Sequence, residues 1–316
     1  MKNLITAAVA ALGIAVSAVS ATAADWAPPG PIKLMIAFAA GGGADTQARL
    51  IAEEMESRTG WQFIPEQVTG KGGVNLLVEM KNMPNDGSVI GMVVTESLGY
   101  NLYSAKTGMK PADFTGLTTT AGFQMGVVAQ TSKGWNSFED VVAAAKAGEQ
   151  LRFGVMSPRL ADLAYLLGKA QGVEFNIVSV KGGKAVMNGV TAGDMDLGFM
   201  AGIQAKGVAA GDLVNLASAL SAPLVQTPDA PTFADLGMTY DSDGYFMFAA
   251  PAGLPEDART ALTDAIVGIV SDPETKAGGL IKKAFGGPSI IKGADLDALM
   301  AKGYDESEGL IKAASE

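Results

Sequence analysis

Ile32-Lys33-Leu34-Met35-Ile36-Ala37-Phe38-Ala39-Ala40-Gly41-Gly42-Gly43-Ala44-Asp45-Thr46-Gln47-Ala48-Arg49-Leu50-Ile51-Ala52-Glu53-Glu54-Met55 is the stretch that decides the fold of this chain. The apolar run from Lys33 to Phe38 is short for a helix and stops at three glycines, so it is predicted as a strand entering a turn. Beyond the turn, Ala48, Ile51, Ala52 and Met55 recur at i, i+3, i+4 and i+7, the buried stripe of a helix. At the junction, glycine removes every side chain from backbone whose first helical amides have no carbonyl to bond, with the positive end of the helix dipole behind them. Such a loop suits an anion, although a plain β–α turn would read the same way. It lacks the Gly-Lys-Ser/Thr ending that cradles a nucleoside triphosphate, and Thr46 stands where a dinucleotide loop needs its last glycine. A small carboxylate asks less of the loop than either.

The same unit recurs along the chain. Phe63 to Val68 is predicted as a strand, Gly70 to Gly73 as a turn, and Val74, Leu77, Val78 and Lys81 as one helix face. Val89 to Val94 is a buried strand ending at Thr95-Glu96-Ser97, whose hydroxyls stand at a strand's carboxyl end, where α/β sheets bind ligands, or in an ordinary surface turn. Gly126 to Ala129 and Leu151 to Met156 are further strands, the second followed by Ser157 and Pro158 as helix N-cap and first helical residue. Leu160, Leu163, Ala164 and Leu167 bury that helix and leave Arg159 in its first turn. A cation there opposes the dipole by a few tenths of a kcal/mol unless an anion sits nearby; otherwise it is a solvated surface arginine. Phe175 to Val180, the Lys181-Gly182-Gly183-Lys184 turn and Leu197 to Met200 make another unit. Phe246 to Ala250 is a strand, a helix starts at Pro255, and a last helix runs near Asp295 to Lys312. Repeated strand–glycine–helix units imply a mainly parallel sheet with helix N-termini gathered along one edge. Asp241-Ser242-Asp243-Gly244 is not followed by the carboxylates of a calcium loop, so no metal site is expected.

Composition narrows the chemistry. Met1 to Ala24 has a basic start, an apolar core from Leu4 to Val19 and a small-residue end, the pattern of a secretory signal peptide, which implies a periplasmic protein. The chain has no Cys, hence no disulfide and no lipid anchor, and no His, the usual general base and transition-metal ligand. An acting hydrolase or lyase would have to rely on Asp45, Glu96 or Lys181, so the chain is expected to be no enzyme and to need no cofactor. The net charge of −10 argues against nucleic-acid partners, while screening beyond roughly 8–10 Å leaves a small anionic ligand possible. About 290 residues beyond the leader allow two lobes.

Several motifs then coincide in order: Pro31-Ile32-Lys33-Leu34 before Phe38 to Asp45, Lys71-Gly72-Gly73-Val74-Asn75, Pro84-Asn85-Asp86-Gly87, Ser157-Pro158-Arg159-Leu160-Ala161, Lys181-Gly182-Gly183, Gly193-Asp194-Met195-Asp196-Leu197, Asp229-Ala230-Pro231-Thr232 and Ala250-Pro251-Ala252-Gly253-Leu254-Pro255. Together they resemble the solute receptors of tripartite tricarboxylate transporters, the Bug or TctC-like family. The resemblance implies a type II-like periplasmic-binding-protein fold: two α/β lobes joined by crossing strands, with a ligand cleft between them. It places residues 25–125 and 246–316 in the first lobe and 126–245 in the second. It implies a monomer that captures a small carboxylate, a di- or tricarboxylate, and delivers it to the membrane permease; a periplasmic sensor feeding a two-component system is the alternative. Carried over, Phe38, Ala40, Gly41, Gly42, Gly43 and Asp45 form the first-lobe clamp, with Thr95 and Ser97 beside it and Ser157 and Lys181 closing from the second lobe. The family's usual proline before the glycines is Ala39 here, the tyrosine before Lys181 is Val180, and Arg159 replaces a common histidine. That last change suggests Arg159 as partner of a second ligand carboxylate. Asp45, which would repel a bound anion, is expected to cap the helix or hold a bridging water.

Overall fold

The computed structural model describes residues 26–316, so the leader expected over residues 1–24 lies outside the described residues. Among the described residues ten strands form two five-stranded sheets. The first contains β1 (Ile32–Ile36), β2 (Phe63–Gln67), β3 (Val89–Val94), β4 (Phe114–Gly122) and β10 (Tyr245–Pro251), in the order β2-β1-β3-β10-β4. The second contains β5 (Met125–Gln130), β6 (Arg152–Val155), β7 (Asn176–Ser179), β8 (Leu197–Ala201) and β9 (Leu213–Ser218), in the order β7-β6-β8-β5-β9. The two orders follow one plan. In each sheet one strand, β10 or β5, runs antiparallel to both its neighbours, and it is the strand that receives the chain from the other sheet. The remaining four in each run one way, as the repeated strand–turn–helix units require.

Burial follows position in the sheet. β1 and β3, covered by helices on both faces, are almost wholly buried and read as continuous apolar runs. β2 is an edge strand exposed beyond Phe63, which is why Pro65 is tolerated within it. Helix Gly43–Thr59 buries Ala48, Ile51, Ala52 and Met55, and helix Pro158–Gln171 buries Leu160, Leu163, Ala164 and Leu167, the two stripes predicted from their spacing.

Elsewhere the structure departs from the sequence-based expectation. β4 and β9 have no counterpart in that expectation: β4, the edge strand beside β10, carries Thr118, Thr119 and Thr120 fully buried, and a polar run gives no apolar signal. Its hydroxyls are satisfied, Thr119 Oγ1 donating to the Ser289 carbonyl at 2.6 Å and Thr120 Oγ1 to Gln47 Oε1 at 2.8 Å. Helix Val74–Met80 turns Val74, Leu76, Leu77 and Met80 inward and leaves Val78 out, 48% exposed. Gly91 of β3 supplies the space that Leu76 and Met80 fill, and this fixes the buried face. The last helix is two, Gly293–Asp305 and Ser307–Ser315; the second crosses to lie against helix Pro158–Gln171 of the other lobe. Among the described residues no helix is long and apolar enough to cross a membrane.

Candidate functional site

Because the parallel strands of both sheets point their carboxyl ends at the gap between them, the turns that follow β1, β3, β6, β7 and β8 all meet there. Three helices begin at this gap: Gly43–Thr59 from the first lobe, and Pro158–Gln171 and Gly183–Ala192 from the second. Gly43, Ser157 and Gly183, at their starts, line one cavity of about 50 Å³. A single water needs roughly 10–15 Å³ of such space, so the cavity has room for a few waters or a small organic group. Its walls are apolar, with Phe38, Phe123, Phe246, Met125, Met156, Leu160 and Ile203, and no lysine or arginine is among the described lining residues. Positive potential therefore comes from the main chain, with about half an elementary charge at each helix start.

The first-lobe loop is built to leave those amides free. The backbone ladder of helix Gly43–Thr59 begins with Thr46 N–H on the Gly42 carbonyl at 2.9 Å, ahead of which come the amides of Gly43, Ala44 and Asp45. Gly42 N–H turns back to Ala39 O at 3.2 Å. Gly41 N–H is taken by Asp45 Oδ2 at 2.8 Å, and the other Asp45 oxygen is held by Arg49 Nε at 2.8 Å and by the Gln67 amide. Asp45 is thus tied into the loop, away from the cavity, and its charge is matched by Arg49. From the second lobe, Gly182 comes down on this loop: a Cβ there would stand 3.3 Å from the Ala39 nitrogen and 3.5 Å from Phe38 Cβ. With φ +99° and ψ 163° it has a backbone conformation close to glycine-only.

Of the residues expected to bind ligand, Phe38, Gly42, Gly43 and Ser157 line the cavity, and Ala40, Gly41, Asp45, Thr95, Ser97, Arg159 and Lys181 do not. Ala40, Gly41 and Lys181 are exposed at the rim. Thr95 Oγ1 accepts Tyr245 N–H at 3.0 Å and so joins the end of β3 to the start of β10. Ser97 is fully buried, its hydroxyl donating to the Gly72 carbonyl at 2.8 Å, which locks the second glycine turn under the sheet. Ser157 caps its helix, accepting Leu160 N–H at 3.3 Å.

Arg159 finds the anion that its place in the first helical turn calls for, and that anion belongs to the protein. Its Nη1 donates to Glu96 Oε1 of the first lobe at 3.2 Å and to Asp243 O at 3.3 Å, and its Nη2 to Asp241 O at 2.8 Å. The Asp241-Ser242-Asp243-Gly244 loop is therefore an acceptor for Arg159. Beside this pair, Ser157 Oγ donates to Glu96 Oε2 at 3.4 Å, Arg159 N–H to Asn101 Oδ1 at 3.4 Å, and the Tyr100 hydroxyl to Asp162. Residues 96–101 of one lobe and 157–162 of the other are thereby joined. Burial pushes the Glu96 carboxyl above its ordinary range, while the charge and hydrogen bond of Arg159 and the Ser157 hydroxyl pull it back. Burial likewise raises the Asp162 carboxyl against the pull of the Tyr100 hydroxyl.

Several lining residues carried no signal as a site in the sequence. Phe123 lies in the first crossing between sheets and Phe246 begins the return; their rings meet edge to face with centroids 5.1 Å apart, and Phe285 continues the row at 5.1 Å from Phe246. Only the double crossing brings them together. Glu96, weighed in the sequence only as a base for an enzyme, could have been placed among the ligand-binding residues, since a carboxylate two residues past an all-apolar strand stands at the sheet's ligand-binding edge.

Two α/β lobes of this strand order, joined by two crossings with helix N-termini facing across the cleft, define a fold of the type II-like periplasmic-binding class. Residues 47–313 match the model of the tripartite tricarboxylate transporter family receptor, TctC, and the chain belongs to that family. It is 29% identical over 268 residues to a Cupriavidus necator relative described as a UPF0065 protein in the gbd 5'region, covering 83% of this chain and 80% of the relative. Among solved structures, a Rhodopseudomonas palustris protein with adipate superposes with a TM-score of 0.80 at 22% identity, covering 91% of this chain and 98% of that one. MatC from the same organism, with bound malate, gives 0.77 at 18% identity, covering 90% and 99%. These likenesses show the fold.

Proposed function

We propose that this protein is an extracytoplasmic receptor that captures a small carboxylate between its lobes and hands it to the membrane subunits of a tripartite tricarboxylate transporter. The observation that carries this is the convergence of three helix N-termini from both lobes on one cavity. The amides of Gly43 and Ala44 donate to one carboxylate group, and the apolar walls take the carbon skeleton. Malate and adipate, bound by proteins of the same fold, are both carboxylic acids, which supports this class of ligand. Capture is by closure, with residues 25–125 and 246–316 moving as one body and 126–245 as the other about the crossings at Phe123-Gln124 and 219–244. A di- or tricarboxylate would need Arg159 as a second anchor, and Arg159 already holds Glu96 and two carbonyls.

Calorimetric titration with a panel of small organic acids tests the binding step, and uptake of the acid bound by a strain with and without the gene tests delivery. Binding of an acid without turnover, with uptake lost on deletion, is the expected result. Turnover of any acid, or binding of none, would overturn the proposal.

A further inference from the structure

Glu96 is the one acid among the described residues that line the cavity, and its side chain is 4% exposed. Its two oxygens are unequal. Oε1 receives Arg159 Nη1 at 3.2 Å, whereas among the described residues Oε2 has only the Ser157 hydroxyl at 3.4 Å, a long contact, and that hydroxyl is also engaged by the Leu160 amide. A carboxylate offers about four lone-pair sites, so Oε2 keeps acceptor capacity. Arg159 cannot turn into the cavity to cover it without leaving the carbonyls of Asp241 and Asp243, at 2.8 and 3.3 Å. A second ligand carboxylate would meet the negative Glu96 with no basic side chain lining the cavity to offset the repulsion. An ammonium, amide or hydroxyl would instead complete the set.

We propose that Glu96 determines the specificity of this site, and that the ligand is a monocarboxylate carrying an N–H or O–H donor that bonds Glu96 Oε2, an ammonium being the best. This rests on a carboxylate occupying the cleft at the Gly43 amides, and it names what stands at the other end. Glu96 then acts as a filter: it accepts from the donor-bearing acid and repels the diacid of the same length.

The test is calorimetric titration of the protein at pH 7 with two matched series. The first is butyrate, its amino and hydroxy derivatives, and succinate; the second is benzoate, its amino and hydroxy derivatives, and phthalate. In at least one series a donor-bearing acid is expected to bind about 10- to 100-fold tighter than both the bare acid and the diacid, the range of a hydrogen bond to a charged group. In Glu96→Gln the preference for the amino acid over the bare acid should shrink to about threefold or less. If bare acids or diacids bind the wild type as tightly as donor-bearing acids, or if Glu96→Gln keeps the preference, the inference is wrong while the carboxylate site stands. If no acid of either series binds, the carboxylate site itself fails and this inference with it. Should Glu96→Gln not fold, the wild-type ranking alone decides.

Discussion

Replacing Arg159 by alanine removes the cation that holds Glu96 while leaving the carboxylate where it is, 4% exposed and facing the carbonyl-rich 241–243 loop. The carboxylate then has two escapes: it can take up a proton, or the lobes can part and let water in. Protonation sets a ceiling on the cost. From an ordinary glutamate pKa near 4.3, neutralising the group at pH 7 costs about 3.7 kcal/mol at 1.36 kcal/mol per pH unit, and at pH 5 only about 1 kcal/mol. The first figure falls within the roughly 3–5 kcal/mol measured for breaking buried ion pairs from one side. The sign follows from the direction of the shift. Burial already holds the Glu96 carboxyl above its ordinary range with Arg159 in place, and without its cation it rises further, so the variant suffers least at low pH and loses stability relative to wild type as pH rises toward its folded value. At about 2–4 °C per kcal/mol for a protein of this size, thermal unfolding should show a Tm loss of roughly 7–15 °C at pH 7 and about 2–4 °C at pH 5. A double variant, Glu96→Gln with Arg159→Met, removes both charges and should recover most of the pH 7 loss. Equal losses at the two pH values, or a loss under about 2 °C at pH 7, would refute the idea that Arg159 serves to neutralise Glu96.

Two further outcomes are expected. Gly182→Ala places a methyl 3.3 Å from the Ala39 nitrogen on backbone at φ +99°, and should cost about 1–3 kcal/mol in chemical denaturation, together with weaker ligand binding because the strained turn closes onto the first-lobe loop; unchanged denaturation would contradict the geometry. Asp196→Asn removes the charge and turns into an NH2 donor one of the two oxygens that accept Arg152 Nε at 3.0 Å and Nη2 at 3.1 Å and Lys133 Nζ at 2.5 Å. Burial opposes the Asp196 charge, but these donors overrule it and hold the carboxyl well below the usual range. Its contribution is therefore present above the ordinary aspartate range and lost as pH falls through the depressed folded value. The gap between wild type and variant, about 2 kcal/mol at pH 7, should begin to narrow below roughly pH 4 and shrink further as pH falls in urea titrations, and a gap independent of pH would count against the pairing.

The fold could be read where local pattern and burial agree. The stripe Ala48, Ile51, Ala52, Met55 and the cap at Ser157 are each decided within about two helical turns of chain, and the structure has both. What escaped depends on partners distant in sequence. β4 is strand although polar because its threonines find Gln47 on helix Gly43–Thr59 and the Ser289 carbonyl in a distant loop, and Val78 faces out because Gly91, on a strand, leaves room for Leu76 and Met80. The site shows the same division. Gly42 and Gly43 could be placed from the glycine turn alone, whereas Phe123 and Phe246 become neighbours only through the two crossings. Arg159 shows how local reasoning stops short: the helix start correctly asked for a nearby anion, but which anion answers is settled by Glu96 in the opposite lobe.

The most direct measurement is amide NMR of the labelled protein during titration with the tightest-binding acid from the series above. The Gly43 and Ala44 amides, together with Gly183 across the cleft, should show the largest downfield shifts, saturating with the calorimetric Kd. Shifts confined to the exposed groove around Lys184 and Lys206, with Gly43 and Ala44 unmoved, would contradict main-chain capture of the acid between the lobes.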